Sequence, residues 1–246
     1  MIDRIFELHS YPPLSPYAPK YKFNLSRSVW DDEKKIDKIK KFLLKKEKAV
    51  LKLAFNSDGD TGLGKDSVTT RFARYNLFDF IDECPELEDL WEFIQKHYYQ
   101  RIAIDKTGVY NTKIVCWFNV LRQGEEMKAH RHTARFSAYL SGNLHLDNYH
   151  TSTTYKHLDN WQSIDNVKGG LIMFPSHLLH EVNVYNDQYP RVSIAFDLHL
   201  TNLNDIDNEA LKHYSRDFTY DTKKDKQHNS LWHSNVFSYT VILCYG

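Results

Sequence analysis

Gly169-Gly170-Leu171-Ile172-Met173-Phe174-Pro175-Ser176-His177-Leu178-Leu179-His180-Glu181-Val182, followed by Arg191-Val192-Ser193-Ile194-Ala195-Phe196, is the stretch on which the fold turns. Two glycines open an apolar run that Pro175 closes, a second short run starts at Leu179, and a third starts at Arg191. Short apolar runs bounded by Gly and Pro read as buried β-strands, which predicts strands over 170–174, 179–184 and 191–198. Working upstream, a period of two sets in at Lys113-Ile114-Val115-Cys116-Trp117-Phe118-Asn119-Val120-Leu121 and predicts further strands at 134–140 and 143–147. Many short strands at this spacing indicate a sandwich or barrel.

Before residue 106 the pattern is helical. Ile36, Ile39, Phe42 and Leu43 recur at helical spacing behind Asp31, Asp32 and Glu33, whose carboxylates favour a helix N-terminus, so a helix is expected over 31–47. Leu87, Leu90, Trp91, Ile94 and Tyr98 form one stripe of a second helix over 86–99. Pro12, Pro13, Pro16 and Pro19 fit an extended N-terminal arm. The run from Asn56 to Gly64 is turn-forming. It lacks the Glu of a calcium loop and the Gly-Lys-Ser/Thr of a phosphate loop, and reads as a surface loop. Beyond Asn202 the chain turns polar, with a mobile loop expected at 221–227 and an edge strand at 236–245. One domain spanning 1–246 is expected: arm and helices over 1–105, a β core over 106–200, and an extension over 201–246.

Composition narrows the classes. With 41% hydrophobic and 14% aromatic residues the chain is globular. Its 32 basic and 32 acidic side chains cancel, so no global field draws it to nucleic acid or to an anionic membrane, and neither is an expected partner. The basic run Lys34 to Lys48 has acidic residues interleaved and reads as a solvated helix face. Cys84, Cys116 and Cys244 are far apart and unpaired in pattern, which argues against a disulfide framework and a thiolate zinc site. No signal-like or membrane-spanning run occurs, and the cytoplasm is the expected location, a host's cytoplasm if the gene is a phage's.

Five of the thirteen histidines, His130, His132, His145, His177 and His180, lie in or beside the β-rich region. Residues i and i+2 of a strand share a face, so His130 and His132 can present two imidazoles to one point. His180, after its well-marked strand, supplies a third, and the result is a facial metal site with open positions. Arg191 follows eleven residues later, and with Ser193 it places a guanidinium and a hydroxyl on one face, a pairing suited to a buried dicarboxylate.

These segments, together with Trp117-Phe118-Asn119, Gly124 and His130-Arg131-His132, resemble the 2-oxoglutarate/iron(II) oxygenases related to prolyl hydroxylase, of the type found in marine bacteria and their phages. The resemblance spans about 110–200. It implies a double-stranded β-helix (jelly roll, cupin-like) with N-terminal helices packed on it, an α+β chain with a mainly β core. It further implies iron(II) as cofactor, 2-oxoglutarate and O2 as co-substrates, and hydroxylation of a peptidyl proline or small molecule with release of succinate and CO2. Carried over, His130 and His180 are metal ligands, and Arg191 and Ser193 hold the far carboxylate of 2-oxoglutarate. Asn119 is a hydrogen-bond partner of the co-substrate, and Trp117 is read as core rather than pocket wall. The family's second ligand is a carboxylate, whereas this chain has His132. Three arrangements stay open: His132 completes a three-histidine site, water takes the position, or Asp147 of His145-Leu146-Asp147 reaches in. Two other readings stand beside this one: a three-histidine cupin-type dioxygenase that needs no 2-oxoglutarate, and a non-catalytic jelly-roll binding module. Oligomeric state is left open by the sequence.

Overall fold

The computed structural model describes residues 1–9, 22–55, 61–106, 111–132, 137–147, 150–157, 160–201 and 211–218. A hairpin of β1 (Ile2–His9) and β2 (Lys22–Val29) leads into helix α1 (Glu33–Val50), two 3-10 turns (Val68–Arg71 and Leu77–Phe80) and helix α2 (Glu86–Asp105). The strands β3 (Thr112–Leu121), β4 (Met127–His130), β5 (Ala138–His145), β6 (Ser152–His157), β7 (Asn160–Asp165), β8 (Gly170–Pro175), β9 (Leu179–Val182) and β10 (Arg191–Leu200) follow, and β11 (Arg216–Asp217) comes last.

Seven strands form one sheet in the order β1-β2-β8-β5-β10-β3-β11, and four form the other in the order β4-β9-β6-β7. From β3 to β10 the chain passes back and forth between the two sheets, and the paired strands are antiparallel throughout. This winding is a double-stranded β-helix, a jelly roll of eight strands.

The alternation along β10 shows how the sequence builds it. Val192, Ile194, Phe196 and Leu198 share one apolar cluster with Ile36, Ile39 and Leu43 of α1 and Leu90 and Ile94 of α2. Arg191, Ser193, Ala195, Asp197 and His199 point the other way and line a cavity between the sheets. The strand is therefore buried on both sides, apolar toward the helices and largely polar toward the cavity.

Both helices run further than their apolar stripes predict. Helix α1 begins behind Asp32, whose carboxylate accepts from the Lys35 N–H at 3.1 Å, and continues to Val50. Helix α2 continues to Asp105, because Arg101 in its last turns is buried rather than solvated. The Arg101 guanidinium donates to Asp105, to Ser26 Oγ (3.0 Å), and to the carbonyls of Asn24 (2.6 Å) and Met173 (3.3 Å), fastening the helix to β2 and β8.

Several expectations change. The first residues are not an arm: β1 and β2 extend the large sheet, with β2 paired to β8 from Ser26↔Met173 to Val29↔Gly170. The prolines at 12, 13, 16 and 19 lie outside the described residues, as do the loop at 221–227 and the strand at 236–245. The strands predicted at 134–140 and 143–147 are one strand over the described part, running through Ser141-Gly142 without a turn. Gly142 is there for space, since a Cβ would lie 2.2 Å from the Phe196 ring on the neighbouring strand. Gly169, by contrast, makes a turn at φ +74 with the Trp30 carbonyl where a side chain would be. The hairpin β6–β7 and strand β4 carry too little apolar character to be read from periodicity. Residues 216–217 of the presumed extension pair with β3.

Candidate metal centre

His130 ends β4 and pairs across the small sheet with His180 of β9. His132 lies two residues beyond β4, held by its own N–H to the Ser176 carbonyl at 3.0 Å. The two therefore share a side without sharing a strand. One ligand atom from each of His130, His132 and His180 falls within 4.8 Å of the others, and this is the group of metal-ligating side chains found among the described residues. The ring centroids are 4.3 Å (His130–His180), 4.9 Å (His132–His180) and 5.3 Å (His130–His132) apart.

Each Nδ1 already has a hydrogen-bond partner. His130 Nδ1 lies 2.7 Å from the Lys128 carbonyl and His180 Nδ1 lies 3.1 Å from the Leu178 carbonyl. A carbonyl only accepts, so both rings carry their proton on Nδ1 and turn the Nε2 lone pair outward, the tautomer that ligates metal. His132 Nδ1 is 2.6 Å from a carboxylate oxygen of Asp197. Burial holds the His180 imidazole well below its usual pKa, and the neighbouring His130 and His132 add to this, so it is neutral at physiological pH. Burial alone would push Asp197 up, but His132, His199 and the Ser141 hydroxyl together bring it below the ordinary carboxylate range. The residues present fit a divalent transition ion: three oriented imidazoles on one side, with the cavity on the other.

That cavity measures about 390 Å³. Ser193 of β10 stands between Asn119 of β3 and His145 of β5, and the three make a polar row on the cavity wall. The Thr69 hydroxyl donates to Asn119 Oδ1 at 2.8 Å, which fixes that amide. Arg191 is 1% exposed and donates from Nη2 to His145 Nδ1 at 3.0 Å. With Nδ1 accepting, His145 carries its proton on Nε2. Neither His145 Nε2 nor Arg191 Nη1 has a hydrogen-bond partner, although both are buried. Two buried donors without partners, on residues that line one cavity, are costly unless a ligand meets them. Burial lowers the Arg191 guanidinium to about 10, against the pull of Asp147 and Tyr185, and it stays charged at neutral pH. Burial and that guanidinium drive His145 well below its usual pKa, so it is neutral.

Other candidates fall elsewhere. Asp147 stands outside the histidine group: one carboxylate oxygen accepts from Lys40 and the other from the Val192 N–H at 2.8 Å. His145 serves Arg191 instead of opening a His-x-Asp ligand pair. His177 packs edge-on against Phe23, with a centroid separation of 4.7 Å, away from the three imidazoles. Trp117 belongs to the large apolar cluster, as expected of a core residue, and is a cavity wall as well. It lines the cavity between Phe72 and His132, at 5.7 and 5.6 Å, and its buried indole N–H has no partner. Sequence reasoning missed Asp197 and the Arg191–His145 bond. The available signal was the polar alternation of β10.

Residues 143–197 match the family model described as "Putative 2OG-Fe(II) oxygenase". The match takes in His145, His180, Arg191, Ser193 and Asp197, and begins after His130 and His132. No curated protein matches the sequence. Similar solved structures include a 2OG-Fe(II) oxygenase family oxidoreductase from Burkholderia pseudomallei, 13% identical with a TM-score of 0.35, where the match covers 37% of this chain and 47% of that one, under half its length. A Pseudomonas putida prolyl-4-hydroxylase is 13% identical with a TM-score of 0.44, over 72% and 88% of the two chains. The non-heme alpha ketoglutarate dependent carbocyclase SnoK from nogalamycin biosynthesis is 5% identical with a TM-score of 0.46, over 71% and 79%. The jelly-roll assignment rests on the strand order and register themselves.

Proposed function

We propose that the protein is an iron(II)- and 2-oxoglutarate-dependent dioxygenase that hydroxylates its substrate. The family match over 143–197 supports the reading, and one observation carries it: the unsatisfied Arg191 Nη1 and His145 Nε2 donors in the same cavity as the three imidazoles. A dicarboxylate with one end at the histidines and the other at Arg191 meets both needs.

On this reading His130, His132 and His180 hold the iron. When bound, the iron supplies the redox chemistry that couples 2-oxoglutarate + O2 + R–H to succinate + CO2 + R–OH. The protein's own residues bind and orient. Arg191 and Ser193 take the distal carboxylate with His145 donating beside them, and Asn119, fixed by Thr69, borders the co-substrate. Trp117 and Phe72 wall the cavity and exclude water.

The test supplies anaerobically purified protein with iron(II), 2-oxoglutarate and then O2, and measures succinate. Wild type is expected to form it and Arg191→Ala to lose at least tenfold in kcat/KM for 2-oxoglutarate. Succinate formation indifferent to Arg191 would overturn the anchor. The three-imidazole set also suits an oxygenase that uses no 2-oxoglutarate. For that chemistry O2 uptake with substrate would proceed without the keto acid. Peptidyl proline and small molecules are the substrate classes to be screened.

A further inference from the structure

The three imidazoles are not held alike. His130 and His180 each lean on the carbonyl two residues before them, a local contact. His132 leans on an anion from across the fold, Asp197, sixty-five positions away in sequence. Asp197 sits on the cavity side of β10, level with Val115 of β3 and Ser141 of β5. The Ser141 hydroxyl donates to the same oxygen that meets His132, at 2.6 Å, and lies 2.9 Å from the Ser176 hydroxyl. The Ser176 carbonyl in turn accepts the His132 N–H. Ring and backbone of His132 are thus fixed by one network of Asp197, Ser141 and Ser176.

A carboxylate held largely out of water, as Asp197 is at 13% side-chain exposure, is expensive to keep unless something compensates its charge. Three neutral imidazoles on a dication have the opposite problem, since they leave both positive charges unbalanced in a low-dielectric cavity. Asp197 answers both, one ring away from the ion.

We propose that Asp197 is the positioning residue of the metal centre: it orients His132 Nε2 toward the ion and supplies, through the imidazole, the negative charge that a directly ligating carboxylate would bring. The inference rests on reading the three histidines as the metal site. It has a definite corollary: position 132 tolerates a carboxylate only when position 197 does not carry one.

Co(II) titrated into the full-length metal-free protein, followed by its visible d–d absorption and its dissociation constant, tests this without turnover. Wild type is expected to bind one ion. Asp197→Asn should weaken binding by about 10–100-fold and alter the d–d band, the usual effect of removing a carboxylate behind a ligating histidine. His132→Asp should bind poorly, with two carboxylates in one buried pocket, and His132→Asp/Asp197→Asn should recover at least tenfold over His132→Asp. Should Asp197→Asn fail to fold, Ser141→Ala decides in its place, with weakening of a few-fold and the same band shift expected. Wild-type protein that binds no Co(II) overturns the metal-site reading itself. Wild type that binds while Asp197→Asn, or Ser141→Ala in its stead, binds equally well overturns the role of Asp197 and leaves the site standing, as does a double variant that recovers nothing.

Discussion

The two nitrogens of His145 face different tasks. Its Nδ1 is spent on Arg191, and its Nε2–H is the donor left over for a ligand. If that donor meets only the distal carboxylate, it binds ground state and transition state alike. His145→Ala should then raise the KM for 2-oxoglutarate at least tenfold with kcat little changed, read from initial rates of succinate formation. Asp147→Asn makes the complementary case. Its carboxylate is engaged by Lys40 and the Val192 N–H, so the variant should lose stability on thermal denaturation yet keep wild-type Co(II) affinity. A collapse of metal affinity would put Asp147 back among the ligands. His130, His180 and Arg191 were legible as candidates because their spacing is a property of neighbouring sequence. The tie of Arg191 to His145 and of His132 to Asp197 was not, because the first depends on the register of two paired strands and the second on the packing of one sheet over the other, between residues 46 and 65 positions apart.

Among elements, the best-read were those with strong periodicity, namely α1, α2, β3, β8 and β10. Those misread had their pattern set by a neighbour. Ser141-Gly142 looks like a turn and is strand interior, because the Phe196 ring occupies the side-chain space of residue 142. Gly142→Ala should therefore cost about 1–3 kcal/mol in urea unfolding, the penalty for overpacking, although alanine suits most local conformations better than glycine does. The N-terminal hairpin was hidden for a related reason. Its Ser26 is a fully buried polar residue that only makes sense once Arg101 and His97 of α2 are seen against β2. Arg101→Leu takes a donor at once from the Ser26 hydroxyl and the Asp105 carboxylate, which keep His97 and the Asn24 amide, and from the Asn24 and Met173 carbonyls. A loss of about 1–3 kcal/mol is expected, visible as a lowered Tm.

For the whole molecule, the run of short strands indicated a sandwich or barrel and the winding came with the family resemblance, while the sheet-extending hairpin and the polar β6–β7 hairpin were not legible. The buried histidines predict that the molecule is sensitive to acid. His97 lies 2.8 Å from the Ser26 hydroxyl and is brought from 6.5 down to about 3, by burial first and then by Arg101 and the terminal ammonium, against Asp3. The unfolded chain takes up a proton near 6.5 and the folded one does not, so this stability is full above about 6.5 and is lost as the pH falls toward about 3. Urea midpoints of metal-free protein should fall below pH 6.5, and His97→Gln should remove up to about 1.4 kcal/mol per pH unit of that slope. His145 and His180 act in the same direction.

Trp117 gives the fold one more use. Among the tryptophans of the described residues, it is the one that lines the cavity, with its ring 5.6 Å from His132 and its buried indole N–H without a partner. An open-shell ion at the histidines would drain the excited state of that indole. Intrinsic emission should therefore dim in step with Co(II) loading and stop responding in Trp117→Phe, which makes the protein its own fluorescent gauge of occupancy.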